Sequence, residues 1–161
     1  FFSPPTPPPP ILSGLVGSEM CIRDSYGEER RSRFIAKKIL QNRPINRVDH
    51  LVEVLKKCTP PHKRNKILAR VFQSFRIAVN KELDNLSSFL EKYLDCLKVG
   101  GKIIIISFHS LEDRIVKRSF KESSLKGQLN IITKKPIIAC ENERVKNSRS
   151  KSAKLRCAVK L

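Results

Sequence analysis

Apolar positions fall at helical spacing over most of the chain from residue 26, then close into one unbroken run, and finally alternate. In EERRSRFIAKKIL the acids come first and the bases last, the order a helix dipole favours, and Phe34, Ile35, Ile39 and Leu40 form an apolar stripe. Asn42, Arg43 and Pro44 end that helix. Val48, Leu51, Val52 and Leu55 then repeat at three and four residues, predicting a second short helix closed by Cys58, Thr59, Pro60 and Pro61. After the polar loop PPHKRNK comes the longest stripe, Leu68, Val71, Phe72, Phe75, Val79, Leu83, Leu86, Leu90, Tyr93 or Leu94, and Leu97, which predicts one long helix, straight or bent.

Gly100 and Gly101 stop that helix, and Ile103 to Ile106 follow as a β-branched run without polar alternation. Such a run is the pattern of a strand covered on both faces, as in a parallel sheet layered with helices. Ser110 stands three residues before Asp113, so its hydroxyl is placed to cap a new helix whose apolar face is Ile115, Val116 and Phe120. Ser107, Phe108, His109 and Ser110 therefore occupy the loop at the carboxyl end of the strand, the edge of an open α/β sheet where ligands bind. LNIITKK reads as a further strand halted by Pro136, and residues 137–151 as a basic loop. In SAKLRCAVKL, Ala153, Leu155, Cys157 and Val159 alternate with Lys154, Arg156 and Lys160, the pattern of a half-buried, antiparallel strand with its bases facing out.

Charge changes the picture more than composition does. Lys and Arg number 33 against 15 Asp and Glu, a formal net charge of +18 spread along the chain. A surface this positive attracts polyanions, nucleic acid first and acidic membrane second. No apolar run reaches the length of a membrane span, which weakens the membrane reading. The five cysteines are widely separated and form no CxxC pair, so the expectation is reduced thiols in a cytoplasmic protein with no metal site.

Residues 1–25 stand apart. Six of the ten prolines lie in the first ten residues, and GSEMCIRD follows with no periodicity. The segment lacks the basic start and long apolar stretch of a signal peptide. It resembles translated sequencing-adapter sequence and is read as a foreign leader; a genuine disordered proline-rich arm is the alternative. Three strands with helices are too few for a sheet whose middle is buried on both faces. The expectation is therefore the carboxyl-terminal part of a larger α/β protein.

Four blocks, YGEERRSRFIAKKI, RVFQSFRIAVNKEL, GGKIIIISFHSLEDRIVK and NSRSKSAKLR, resemble in order the signature blocks of the bacterial small-subunit (16S) ribosomal RNA cytosine-N4 methyltransferases, the MraW family. The departures are few: Ser148 where proline is usual, Lys151 where arginine is common, and Ser74 and Phe75 where Ala-Leu is usual. The resemblance implies a Rossmann-like class I methyltransferase with an inserted helical domain, moving a methyl group from S-adenosylmethionine to a cytosine amine of the decoding centre. It implies that residues 26–66 belong to the helical insertion and residues 67–161 to the carboxyl-terminal part of the Rossmann-like domain. The strands at Lys102, Leu129 and Ala153 are then the last three of the sheet. The donor-binding motifs lie upstream, so this chain holds no cofactor-binding residue and is expected to be inactive alone.

A cytosine amine is a poor nucleophile, so positioning matters more than a strong base. His109 is the candidate for orienting the base or accepting a proton; the bland alternative is a loop histidine bonded to backbone. Ser110 fits a helix cap, and Glu112 and Asp113 fit a first helical turn. Arg76 and Asn80, one turn apart, either face or stiffen the substrate pocket, or are a surface pair. Arg149, Lys151, Lys154 and Arg156 are candidates for RNA phosphate, with a solvated basic face as the alternative. Phe108 either stacks on an extruded base or is core. The implied partner is small-subunit ribosomal RNA or the assembled subunit. The competing hypothesis is a non-catalytic, basic RNA-binding module.

Overall fold

The computed structural model describes residues 31–161. The leader expected at 1–25, and Tyr26 to Arg30 of the first basic helix, lie outside the described residues. The chain divides into two compact units between Glu82 and Leu83.

The first unit is helical. Helix α1 (Ser32–Gln41), helix α2 (Val48–Cys58) and helix α3 (Arg64–Asn80) surround a core of Ile35, Ile39, Ile45, Leu51, Leu55, Ile67, Val71 and Phe75. Helix α1 buries Ile35, Ala36 and Ile39, whereas Phe34 and Leu40 are exposed. The Arg31 guanidinium lies 5.1 Å from the Phe34 ring centre, a cation–π contact that suits an exposed ring. Helix α2 ends where Thr59 Oγ1 donates to the Leu55 carbonyl at 2.8 Å and Pro60 blocks continuation. The Cys58 thiol donates to the Val54 carbonyl at 3.0 Å, and burial pushes its pKa up, keeping the proton on sulfur.

The long stripe does not make one helix. Helix α3 stops at Lys81, whose φ of 51° is left-handed, and helix α4 (Glu82–Lys92) starts again beyond it. Apolar spacing survives such a break because a single residue in the left-handed region interrupts the hydrogen-bond ladder without changing which positions are apolar.

In the second unit, strand β1 (Lys102–Ser107) leads into helix α5 (Ser110–Leu125), strand β2 (Leu129–Ile131), strand β3 (Ile137–Ile138), helix α6 (Glu141–Lys146), a 3-10 turn (Ser148–Ser152) and strand β4 (Lys154–Lys160). The sheet order is β1-β4-β2, with β3 also paired to β4. Because β4 is antiparallel to both neighbours, β1 and β2 point the same way, and α5 is the crossover between them. Gly100, at φ 77°, turns the chain into β1 while its N–H donates to the Lys160 carbonyl at 2.9 Å. A Cβ at Gly101 would stand 2.7 Å from the Lys98 carbonyl oxygen, so only glycine fits there.

Three expectations are corrected by this sheet. First, the immediate neighbour of β1 is antiparallel, not parallel, and among the described residues one face of the isoleucine run is open: Ile103 is buried, but Ile104 and Ile106 are 59% and 53% exposed. Second, residues 137–151 are not all loop. Strand β3 and helix α6 are two and six residues long, too short for periodicity to show. Third, β4 is not buried on one alternating face alone: Arg156, Cys157 and Ala158 are buried in succession, so Arg156, placed outside by its alternation, lies inside. The register places Ala158 opposite Ile103 and Ile131, beneath Val116 and Phe120 of α5, in a core completed by Leu90, Tyr93 and Leu129.

Among the described residues, no helix is long and apolar enough to cross a membrane. Cys58, Cys96, Cys140 and Cys157 are all free thiols.

Candidate functional site

Strand β1 delivers its last residue, Ser107, buried at the sheet's carboxyl edge, and the chain then swings through Phe108 and His109 into α5. A reciprocal capping box makes this turn rigid. The Glu112 N–H donates to His109 Nδ1 at 3.3 Å, while Glu112 Oε2 accepts from the backbone N–H of Phe108 at 2.8 Å and of His109 at 3.3 Å. His109 is therefore the N-cap, and Ser110, expected in that role, is the first helical residue. A helix's first N–H groups need acceptors, and an extended His109 backbone (φ −138°, ψ 165°) turns its ring to meet one of them.

His109 is deeply placed, its side chain 7% exposed, with Nε2 3.3 Å from Glu112 Oε1. Accepting at Nδ1 requires the neutral ring to carry its proton on Nε2, the nitrogen beside the carboxylate. Phe108 is 53% exposed, so the core reading of that ring does not hold. A capped, buried histidine thus fixes a loop whose one aromatic ring stands in solvent.

On the same helix, Asp113 reaches the sheet. Its carboxylate accepts from Arg156 Nε at 2.7 Å and Nη2 at 3.2 Å, and Lys154 Nζ lies 3.7 Å from the same group. Burial by itself would raise the Asp113 pKa; the Arg156 hydrogen bond and charge, with Lys154, outweigh it and hold the carboxyl below its ordinary value. Arg156 is 5% exposed, so the guanidinium expected on RNA phosphate is committed to Asp113 inside the unit. No sequence spacing joins these residues. The available sign was an acid in the first turn of a helix that crosses over to a basic strand.

Asn147 Oδ1 accepts from the Arg149 N–H at 3.1 Å, and Ser150 Oγ donates to the Asn147 carbonyl at 2.8 Å. This closes the 3-10 turn with Ser150 buried and leaves Arg149 and Lys151 exposed on either side. Lys154, the first residue of β4, is one-third exposed. In the first unit, Arg76 and Asn80 converge on Glu82: Arg76 Nε and Nη2 donate at 2.8 and 3.1 Å, and Asn80 Nδ2 donates at 3.2 Å.

S-adenosylmethionine, the donor implied by the resemblance, needs a glycine-rich turn after a strand and a carboxylate for its ribose. Gly100, Gly101 and Gly127 all precede strands, Glu112 is held in the capping box and Asp113 is bound to Arg156. Among the described residues no glycine-rich turn follows a strand.

A β-α-β crossover, a reversed last strand inserted between its two strands, and a capped loop at the carboxyl edge are the carboxyl-terminal part of a Rossmann-like α/β methyltransferase fold. The sequence profile of the MraW methylase family matches residues 20–161, and the chain belongs to that family. It is 56% identical over 136 residues to a protein of Crocosphaera subtropica named ribosomal RNA small subunit methyltransferase H, covering 83% of this chain and 42% of the relative. Proteins of the same name from Rippkaea orientalis and Gloeothece citriformis are 50% and 53% identical, covering 88% and 83% of this chain and 47% and 45% of their own lengths. The chain thus spans less than half the length of these relatives.

Proposed function

We propose that this chain is the carboxyl-terminal, RNA-facing part of an enzyme that methylates the N4 amine of a cytosine in the decoding centre of small-subunit ribosomal RNA, working in the cytoplasm. Residues 26–66 belong to its helical insertion and residues 67–161 to the carboxyl-terminal part of its Rossmann-like catalytic domain. The carrying observation is the rigid Phe108–His109 loop at the carboxyl edge of β1, in a chain of this family. S-adenosylmethionine supplies the methyl group from a site outside the described residues.

Each residue then has a physical task. The exposed Phe108 ring offers a stacking platform for a base taken out of its helix. His109 acts as a positioning residue, holding Phe108 through the capping box; its proton-accepting role is the alternative that the substitutions below separate. Arg149, Lys151 and Lys154 present charge to phosphate, while Arg156 secures β4 to α5. Arg76 and Asn80 stiffen the end of α3 through Glu82.

The test is methyl transfer by the full-length protein to isolated small-subunit RNA and to assembled subunits, with the modified nucleoside identified by mass spectrometry. N4-methylcytidine is the expected product. A ring-carbon methyl, or no transfer to either substrate, overturns the reading. The formal net charge of +18 favours a second reading for the isolated chain, a non-catalytic RNA-binding module; it requires folded, saturable RNA binding by residues 26–161 alone.

A further inference from the structure

We infer that a basic cavity in the sheet unit, separate from the β1 loop, is a phosphate-binding anchor for the RNA backbone. It is a half-open groove of about 360 Å³ between α5 and edge strand β2. Three lysines line it, Lys117 and Lys121 from α5 and Lys134 from the turn after β2, together with Asn130 and an apolar wall of Phe120 and Ile131. No carboxylate lines it.

The cavity's charge is uncompensated. Among the described residues none of the three lysines has an ion-pair partner, and Arg156 on the lining is already neutralised by Asp113. Lys117 and Lys121 stand one helical turn apart, where like charges repel and lower helix stability. An anion between them reverses that sign. The buried Phe120 wall excludes water on one side and strengthens the field in the cavity. Lysine ammonium groups with an asparagine amide and the Ser124 hydroxyl are the donors that phosphodiester oxygens take, and they carry no base preference. The volume exceeds a lone anion and suits a nucleotide unit.

This inference rests on the RNA-directed reading above. The experiment uses the whole 161-residue chain and a labelled single-stranded RNA oligonucleotide, with binding measured by anisotropy from about 50 to 200 mM salt. The cavity variant is K117Q/K121Q/K134Q; the control is K37Q/K57Q/K98Q, which removes the same charge at exposed positions outside the cavity. The cavity variant is expected to lose about tenfold in affinity with a salt slope shallower by about two, the control less than threefold. Lysine-to-arginine replacement at the three cavity positions is expected to restore binding. In the unaltered chain, RNA is expected to shield Lys117, Lys121 and Lys134 from amine acylation, a readout that needs no variant to fold. Equal losses in cavity and control variants, or unchanged binding in the cavity variant, overturn the anchor while leaving the RNA reading intact. Shielding by inorganic phosphate but not by RNA overturns it in favour of a small-anion site. Absence of RNA binding by the unaltered chain overturns the anchor, while the methylation assay on the full-length protein tests the RNA-directed reading separately.

Discussion

Asp113 and Arg156, 43 residues apart, meet as a forked ion pair at 2.7 and 3.2 Å that ties the first turn of α5 to the middle of β4. Both side chains are largely buried, at 13% and 7% exposure. Removing one partner leaves an uncompensated charge inside, which costs more than the pair contributes. Asp113→Ala is expected to lower the stability of the chain by about 3 kcal/mol, and Asp113→Leu/Arg156→Leu to recover part of that loss, both read by urea unfolding. Additive losses in the double variant would remove the coupling.

The same pair sets an acid limit. The Asp113 carboxyl titrates below its ordinary value of 3.8, with burial opposed and outweighed by Arg156 and Lys154. The folded state therefore holds its proton less tightly than the unfolded chain, and the contribution is complete above pH 3.8. It is lost as pH falls from 3.8 through the lower folded value. Unfolding midpoints measured on either side of that window are expected to fall more steeply for the unaltered chain than for Asp113→Asn.

His109 offers a clean separation of capping from proton transfer. Asparagine caps helices well and alanine poorly, by about 1 kcal/mol. In the full-length enzyme His109→Asn is expected to keep most of the methylation that His109→Ala loses, with a matching pattern in melting temperature. Equal and complete loss in both, with stability unchanged, would make His109 the proton acceptor.

Phe108 is exposed, so its loss should be silent for folding. Phe108→Ala is expected to leave the melting temperature unchanged and to weaken substrate use by about 1–3 kcal/mol in kcat/KM. Phe108→Tyr, which keeps the stacking surface, should restore it.

Lys160 closes the other end of the sheet unit. Its ammonium donates to the Leu94 and Leu97 carbonyls at 2.7 and 2.8 Å, at the turn that follows α4. Lys160→Met preserves the stem and leaves those two carbonyls unsatisfied, for an expected cost of about 2 kcal/mol. Unchanged chemical unfolding would show that water replaces the ammonium.

Periodicity located the helices and strands because burial of apolar side chains is a local regularity. The runs around Ile35, Leu51, Val71, Val116 and Ile103 all sit in the two cores. It could not decide what covers a strand. Ile103 to Ile106 look alike in sequence, yet Ile103 meets α5 and Tyr93 while Ile104 and Ile106 face outward. Nor could it see Lys81, since a left-handed residue leaves no trace in an apolar stripe.

The amino-acid sequence by itself determined the family, the basic character, the order of elements and the position of the Phe108–His109 loop. Four contiguous blocks and a charge excess carry that information without any fold. Only the tertiary structure decided which charges are free. By alternation Arg156 belongs outside; its place inside exists because Asp113, far along the chain, supplies the counter-charge. His109 and Ser110 exchange the capping role for a similar reason: backbone angles at the strand's end, not residue preference, choose which side chain meets the helix N–H groups. Lys117, Lys121 and Lys134 become one cavity only when α5 packs beside β2. Pairing energies depend on distance in space, and a linear pattern holds no distances beyond a few residues.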